Sequence, residues 1–406
     1  MRLAALGVAA ACVFLGSWTL LHHLWYTAPG IVDTPEYQSY AHRIVDGEVP
    51  YRDFAVEYPP GALLPMLAPD ATAVPGDFGS YGHTFEKWMA GAGVVMVLLV
   101  AFALAGLEPA LPEALVALLV VAVSPLLLGN LVLSRFDLWP AALTVGAVGA
   151  LAREKRATSA LVLGAAIATK LYPAVIVPVA IAWAWRRWGR DAALRWLALV
   201  VAVVVAAYAP FFVLSPGGVV HSVSTQLSRP LQIESLAGAV LIAVHNAFGT
   251  DLHVYTTVSQ NLSGSGVRAG EILSSILQVG ALLAVWIGFA RGPQTRARLV
   301  AYAAASVVAF VAFGKVLSPQ YMVWLIPLVP LVRNRLAQAL LVLALVLTQI
   351  EFPKRYWEYA NGFSPGVGTV VLARDLVLVA LLGLLVWQPW GERDEERALL
   401  VSGQTA

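Results

Sequence analysis

The sequence contains little cysteine and little charge. Cys12 is the one cysteine among 406 residues, so a disulfide framework and a cysteine-ligated metal cluster are both excluded. Asp, Glu, Lys and Arg make up only 12% of the chain, against about 25% in soluble domains. With a formal net charge of +2, this composition excludes a soluble enzyme, a disordered chain and a nucleic-acid-binding protein, so no nucleic-acid partner is expected.

The sequence also lacks the short motifs that mark most metal and nucleotide sites. It contains no HExxH or CxxC motif, no glycine-rich phosphate loop and no DxD pair. Its histidines do not have the spacing of metal ligands: His22, His23, His42, His83, His221, His245 and His253. We therefore predict no metal ion and no cofactor, and we interpret the adjacent His22 and His23 as interfacial residues.

Long apolar runs are abundant, because 59% of the residues are hydrophobic. A helix needs about 20 apolar residues to cross a bilayer, and fewer if its ends lie in protein. The sequence thus predicts an all-α polytopic membrane protein with about 12 transmembrane helices. A ten-helix count, in which the fifth and sixth segments form one broken helix, is the main alternative. The twelve segments are 3–24, 85–106, 112–128, 137–152, 158–170, 171–187, 194–213, 269–290, 298–313, 319–333, 336–351 and 366–388.

The loops between these segments predict the orientation in the membrane. With Met1 in the cytoplasm, the inner loops are short and rich in arginine, as the positive-inside rule requires. We predict an uncleaved first helix, one transmembrane domain over 1–388 in the cell membrane, and a polar cytoplasmic tail over 389–406. Two long segments face outward, 25–84 and 214–268. Each contains a predicted surface helix, at 34–46 and at 234–247.

Charged residues gather where the predicted helices reach the outer boundary. The stretches 88–107, 114–134, 141–152 and 299–314 contain no charge. A secondary transporter needs its site near the bilayer midplane, whereas an enzyme with a lipid-tethered substrate needs a polar site at headgroup level. The distribution favours the enzyme. The alternatives are a flippase or transporter for a lipid-linked sugar and, with less support, a non-catalytic scaffold.

Several cations lie at this outer boundary, beside predicted helix starts. Proline suits the first turn of a helix, whose free N–H groups and dipole attract anions. Arg135, Lys170 and Lys315 each lie near such a start, so together they favour binding of a phosphate. For any one of them, the alternative is a side chain that extends to the lipid headgroups.

Asp33 permits two interpretations. It precedes Thr34-Pro35-Glu36, so it is a credible N-cap of the surface helix, with the acidic residue three positions on that completes a capping box. It is equally a candidate catalyst.

The other acids of the outer segments are also open to two interpretations. Asp53 and Glu57 flank an aromatic run and either stabilise the loop or bind the sugar of an acceptor. Asp137 lies two residues after Arg135 and is expected either to pair with it or to bind sugar. Glu234 begins the second predicted surface helix and either caps it or contributes to the site.

An ordered set of motifs resembles a known family. The runs are P-Y-R-D-F followed by E-Y-P-P-G, then R-F-D-L-W-P, A-T-K-L-Y-P, R-P-L-Q-I-E-S and L-S-P-Q-Y-M-V-W-L-I-P. Together they resemble the polyprenyl-phosphate-sugar-dependent glycosyltransferases of family 87, in the membrane-embedded GT-C superfamily. The resemblance extends from about residue 31 to 330 and implies a GT-C-like helical bundle.

The resemblance implies an inverting transfer of a sugar, most often mannose, from a polyprenyl phosphate. A hexosyltransferase of this kind, typically a mannosyltransferase, would act at the outer face on an envelope glycolipid or polysaccharide. Its partners would be membrane lipids, the lipid-linked donor and the acceptor, without a metal. The acid that begins the first outer loop in this superfamily is the general base, and the matching residue is Asp33.

The mechanism expected from these observations assigns roles to three groups of residues. Asp33 takes the proton of the acceptor hydroxyl. The donor phosphate is bound by cations, namely Arg135, Lys170, Arg229 and Lys315. The sugar and acceptor are bound by Asp53, Glu57, Tyr58, Asp137, Tyr172, Glu234, Gln320 and Tyr321.

Overall fold

The computed structural model describes residues 2–25, 31–74 and 77–387. The predicted cytoplasmic tail 389–406 lies outside these residues. The described chain is 77% helical. Its helices are α1 (Arg2–Leu20), α2 (Thr34–Val45), α3 (Leu63–Asp70), α4 (Phe78–Ala105), α5 (Leu111–Ala122), α6 (Ser124–Leu128), α7 (Leu131–Ser134), α8 (Leu138–Ala152), α9 (Arg156–Thr169), α10 (Val177–Trp188), α11 (Arg190–Leu214), α12 (Pro216–Leu227), α13 (Leu236–Phe248), α14 (Val267–Arg291), α15 (Arg296–Ala312), α16 (Met322–Leu325), α17 (Arg335–Glu351), α18 (Tyr356–Gly362) and α19 (Pro365–Trp387).

Five of the described helices are long and apolar enough to cross a membrane: Arg2–His23, α4, α11, α14 and α19. A sixth candidate is the pair of α17 and α18, which is bent by 69°. The chain is therefore an all-α membrane protein. Other apolar helices are shorter; α5, for example, has 12 residues, or about 18 Å, which is less than a hydrocarbon core of about 30 Å. The count of twelve crossings stays a prediction.

The long helices expose apolar faces, as a lipid environment requires. In the most apolar 18-residue stretch of α11, only 6% of the residues are buried within the protein. The corresponding share in α14 is 22%. Exposed side chains include Val201 and Val205 on α11 and Ile276 and Val279 on α14. Because exposing such surfaces to water is costly, these faces are those that contact lipid.

The interior is built from close contacts between helices with small side chains. α8 is buried on nearly all sides between α4 and α9, and α15 is buried on nearly all of its faces. A Cβ at Gly149 on α8 would lie 2.8 Å from the Ala103 Cβ on α4, so glycine permits this close approach. The packing fixes the ends of α8 and α9, from which candidate site residues extend.

The two long segments between spans have regular structure. The first contains α2, close to the predicted helix 34–46, and also α3. The second contains α12 and α13, the latter close to the predicted helix 234–247. It also contains an unpredicted antiparallel hairpin of β1 (Leu252–Thr256) and β2 (Gln260–Gly264), in which Leu252 pairs with Gly264. The hairpin is attached to the preceding chain, because the Ile233 N–H donates to the Gln260 carbonyl over 3.2 Å.

Candidate active site

Four charged residues extend from helix ends in the middle of the chain and at the start of α2. Asp33 precedes α2, Arg135 follows α7, Asp137 precedes α8 and Lys170 follows α9. α9 ends at Thr169 because Lys170 has an extended backbone, with φ of −154° and ψ of 140°. The packing of α8 and α9 therefore brings charges that are distant in sequence to one place.

Asp33 is paired with Arg135. Their Oδ2 and Nε atoms are 3.0 Å apart, the Arg135 side chain is only 5% exposed, and the Asp33 carboxylate is 26% exposed. The Tyr37 hydroxyl donates to the same Oδ2 over 3.3 Å. Asp33 occupies the N-cap position of α2, but its side chain makes no capping hydrogen bond. The carboxylate thus faces the charged cluster, and the capping interpretation is wrong for this side chain.

Burial raises the pKa of the Asp33 carboxyl above its usual range, while the charge of Arg135 opposes this effect. A carboxylate with a raised pKa is a stronger base, provided that it is ionised at the working pH. The ion pair with Arg135 favours the ionised form. Asp33 therefore combines partial access with a chemically suitable environment for proton abstraction.

Asp137 is paired with Lys170 and not with Arg135. Its Oδ1 lies 2.6 Å from the Lys170 Nζ and accepts a hydrogen bond of 2.5 Å from the Trp324 indole N–H. The Asp137 side chain is 1% exposed. The expected pairing of Arg135 with Asp137 is thus wrong. The Arg135 guanidinium instead reaches Asp33.

Aromatic rings surround the Lys170 ammonium. Its Nζ lies 4.6 Å from the ring centre of Phe136, 5.3 Å from that of Trp324 and 5.9 Å from that of Tyr58. Such contacts stabilise a cation that is shielded from water. Lys170 is therefore held by one carboxylate and three rings.

Trp324 lies between two tyrosine rings. Its centroid is 4.1 Å from that of Tyr172, with the planes 2° apart, and 4.0 Å from that of Tyr321. The Tyr172 hydroxyl and the Thr144 hydroxyl are hydrogen-bonded over 2.9 Å. The stack forms a rigid aromatic wall beside the Asp137–Lys170 pair.

Glu57 and Arg229 bring the two long segments together. Burial, with a smaller contribution from the charge of Glu36, raises the pKa of Glu57 to about 7, and Arg229 opposes the rise. The guanidinium of Arg229 donates to the Ser259 hydroxyl over 2.8 Å, and it interacts electrostatically with Tyr321. Glu57 and Arg229 therefore lie within electrostatic range of each other, Glu57 also interacts with Asp33, and Arg229 with Tyr321.

Lys315 and Gln320 lie in the segment that precedes Tyr321 and Trp324 of the aromatic stack. The Lys315 carbonyl accepts a hydrogen bond from the Gln232 N–H over 2.9 Å, which joins this chain to the segment that carries Arg229. Both the Lys315 and the Gln320 side chains are half-buried. Within the described residues, no carboxylate lies at ion-pair distance from Lys315 or Arg229.

Two of the predicted sugar-binding acids are engaged elsewhere. Asp53 is bound by the Val49 N–H over 2.7 Å and by Arg52, and these contacts lower the pKa of Asp53 to about 2. Glu234 is buried, and its carboxylate accepts from the Gln232 amide over 3.0 Å. The structure does not bring Asp53 into the cluster.

Glu234 belongs to a buried ionic group that fixes the second segment. The Arg374 guanidinium donates to the Glu234 carbonyl over 2.6 Å and to Asp375 over 2.9 Å. The cap of α13 is Ser235, which accepts from the Gly238 N–H. The capping interpretation of Glu234 is therefore wrong, and its contacts are those of a residue that anchors the loop.

An apolar groove opens on the surface of the bundle. It has a volume of about 440 Å³ and lies between α4 and α8, whose first residues follow Asp137. The lining side chains of Trp88 and Val95 are exposed, so the groove is open to the outside of the bundle. Its lining residues are Lys87, Trp88, Gly91, Ala92, Val95, Leu99, Trp139, Ala142 and Leu143.

Three aromatic members of the site were not predicted as such. Trp324 contacts Asp137, Phe136 contacts Lys170, and Tyr37 contacts Asp33. Trp324 and Phe136 lie inside the quoted motifs, each within a few residues of a predicted site residue. An aromatic residue that close to a charge is the only local signal, and it does not distinguish site residues from membrane-interface residues.

One comparison with known proteins identifies a family. The model of glycosyltransferase family 87 matches residues 56–319, which is more than half of the chain. The match includes Glu57, Arg135, Asp137, Lys170 and Arg229. It excludes Asp33 and the aromatic residue Tyr321, so it is shorter than the resemblance from 31 to 330. No curated protein matches the chain.

Proposed function

Because the chain belongs to glycosyltransferase family 87 and is a membrane glycosyltransferase, we propose that its donor is a sugar on a polyprenyl phosphate. The sugar is mannose, and the acceptor is an envelope glycolipid or polysaccharide at the extracytoplasmic face of the cell membrane. The observation that carries this proposal is the position of the charged cluster. It lies at helix ends, and an apolar groove opens between α4 and α8, the helix that Asp137 precedes.

The groove between α4 and α8 suits the donor's isoprenoid chain. Its wall is apolar, and Trp139 in this wall lies two residues after Asp137. Lipid tails are as apolar as the groove wall, so close packing along the groove, and not removal from water, would hold the chain there. No nucleotide-binding fold is needed, because the lipid supplies both anchorage and an activated leaving group.

Arg229 and Lys315 are the cations best suited to the donor phosphate. Arg135 and Lys170 are each neutralised by an acid at 3.0 and 2.6 Å, whereas neither Arg229 nor Lys315 has a carboxylate at ion-pair distance within residues 31–74 and 77–387. Positive charge beside a leaving phosphate stabilises the transition state directly. Arg135 and Lys170 hold Asp33 and Asp137 in position and contribute charge at longer range.

Asp33 acts as the general base. The acceptor hydroxyl transfers its proton to the Asp33 carboxylate while its oxygen forms a bond to the anomeric carbon. The bond from that carbon to the phosphate oxygen breaks, and its electron pair leaves with polyprenyl phosphate. Attack opposite to the leaving group inverts the anomeric configuration. Arg135 fixes one carboxylate oxygen, at 3.0 Å from its Nε.

Glu57, Tyr58, Gln320 and Tyr321 are assigned to the hydroxyl groups of the sugar and the acceptor. All four side chains are half-buried, and Tyr321 continues the aromatic wall. Trp324 and the other ring of its stack support that wall. Asp53 is omitted because its contacts lie within its own loop, and Glu234 because it belongs to the buried ionic group with Arg374.

Arg229→Ala and Lys315→Ala are each expected to raise the KM for the lipid donor about 10- to 100-fold. The reason is the loss of a charge-assisted contact to phosphate, which contributes about 1.5–3 kcal/mol. Steady-state kinetics at saturating acceptor measure the effect. Arg268→Ala is the matched control, since Arg268 is exposed and pairs with Glu271 on α14. An unchanged donor KM in both variants would remove these residues from the phosphate site.

Gly91→Leu is expected to raise the KM for a long-chain donor about 10- to 50-fold, because the new side chain occupies the groove and displaces isoprenoid carbons. A Cβ at Gly91 meets no atom within 4 Å, so the substitution does not disturb packing. Gly280→Leu is the control, on a spanning helix with equally open space. The Gly91 variant should raise the KM for a long-chain donor more than that for a short-chain donor, and the Gly280 variant should change neither. Equal KM values for both donors in the Gly91 variant would place the isoprenoid chain outside this groove.

The proposal is tested with the full-length protein in nanodiscs. The protein is given labelled polyprenyl-phosphate mannose, polyprenyl-phosphate arabinofuranose or a nucleotide sugar, with a membrane glycolipid extract as acceptor. Free polyprenyl phosphate and a glycosylated product are expected from polyprenyl-phosphate mannose. A flippase would leave the donor intact, and transfer from the nucleotide sugar alone would contradict the proposal.

A further inference from the structure

Two histidines and a glutamate meet outside the charged cluster. His22 lies just beyond α1, and His83 and Glu86 lie near the start of α4. The His22 Nε2 is 2.8 Å from the Glu86 Oε2, and the His83 Nδ1 is 3.8 Å from the same oxygen. One ligand atom from each of the three residues lies within 4.8 Å of the other two.

These separations approach those of a metal site. Zinc binds imidazole nitrogen and carboxylate oxygen at about 2.0–2.2 Å, so neighbouring ligand atoms of a tetrahedral site are about 3.3–3.5 Å apart. The distances of 2.8 and 3.8 Å differ from this value by about half an ångström. His83 is 71% exposed, so its rotation is free to make the adjustment. Partial exposure also leaves room for water as a fourth ligand.

We propose that His22, His83 and Glu86 bind one divalent transition-metal ion, zinc in particular. Two imidazoles and one carboxylate form a ligand set that zinc prefers. The simpler interpretation, a hydrogen bond between His22 and Glu86, explains two of the three residues. His83 and Glu86 are neighbours because they lie three residues apart on α4, and the contact of His22 with Glu86 brings a third ligand atom from another segment to the same place.

The metal would fasten the outer end of the first helix to α4. The intervening residue Phe85, between His83 and Glu86, is fully buried, and its ring lies 5.5 Å from that of Tyr37. Tyr37 in turn donates to Asp33. A zinc ion at this position would therefore brace the helical turn that supports the start of α2. This inference does not depend on the identity of the sugar donor.

The test uses the full-length protein in nanodiscs, first stripped with a chelator and then titrated with zinc chloride alone. Isothermal titration calorimetry and elemental analysis are expected to show one zinc ion per chain. The thermal unfolding midpoint should rise by about 2–5 °C at saturating zinc. X-ray absorption should show only nitrogen and oxygen ligands, with the scattering pattern of two imidazoles.

His83→Gln is the decisive variant, because its exposed side chain can be changed without disturbing the core. It should weaken zinc binding at least 10-fold and abolish the thermal shift, and Glu86→Gln should do the same. His253→Gln is the control, since His253 is equally exposed and pairs with Asp251 at 2.9 Å. Absence of stoichiometric zinc in the unsubstituted protein, or equal affinity in the His83 and His253 variants, would overturn the proposal.

Discussion

Replacing Asp33 with asparagine is expected to lower the turnover number about 10²- to 10⁴-fold, which is the usual contribution of a general base. Asparagine has the same shape and accepts the Tyr37 hydrogen bond, but it does not take up the acceptor proton. Donor binding should change little, because Arg229 and Lys315 are untouched. Turnover of labelled donor by purified protein measures the loss, and circular dichroism confirms that the variant is folded.

Glu36→Gln is the matched control for this variant. Glu36 lies on the same helical turn and accepts a hydrogen bond from the Tyr40 hydroxyl, so it shares the surroundings of Asp33 but not the pairing with Arg135. It should keep turnover within a few-fold of normal. Glu57 is the competing base, since its pKa is raised to about 7 by burial and the charge of Glu36. A larger loss in Glu57→Gln than in Asp33→Asn would move the assignment to Glu57.

Replacing Asp137 with asparagine is expected to lower the free energy of unfolding by about 3–5 kcal/mol, since it leaves the Lys170 ammonium buried without a counter-ion. The Asp137 and Lys170 side chains are 1% and 13% exposed. The remaining partners of the ammonium are the rings of Phe136, Trp324 and Tyr58. A cation–π contact contributes about 0.5–2 kcal/mol, and the rings do not neutralise the charge. Thermal or denaturant unfolding in detergent measures the change.

The variant Lys170→Met and the double variant complete a mutant cycle. Each single change strands one charge, whereas the double change removes both, so its destabilisation should be smaller than the sum of the two by about 1–3 kcal/mol. The exposed pair Arg187–Glu154, with side chains 45% and 34% exposed, is the control and should show a coupling below about 1 kcal/mol. Additive losses at Asp137 and Lys170 would contradict a buried ion pair.

Local sequence signals predicted the helices better than the number of membrane crossings. The surface helix at 34–46 is α2, and five predicted spans match long apolar helices. The segment 112–128 is different, because α5 ends at Ala122 and a proline-containing turn begins α6. An apolar run does not reveal whether a helix contacts lipid on all sides or ends inside protein, so hydropathy alone cannot give the count.

The site was predicted as a set of residues but not as a set of pairs. Asp33, Arg135, Asp137 and Lys170 do come together. The sequence indicated this because each of them lies beside the end of a helix. Proximity in sequence suggested that Arg135 pairs with Asp137, whereas its side chain pairs with Asp33, 102 positions away in the sequence. The histidine–glutamate group was missed for the same reason, because His22 and Glu86 are 64 positions apart. Spacing rules detect only ligands that share one helix or loop.

The anomeric configuration of the product tests the central claim most directly. Donor of defined configuration is converted by the purified protein, and the new glycosidic bond is read from its one-bond carbon–hydrogen coupling by NMR. If Asp33 deprotonates an acceptor that attacks opposite to the leaving phosphate, the product has the configuration opposite to that of the donor. A product of unchanged configuration would require a covalent or front-face route and would contradict the role of Asp33 as base.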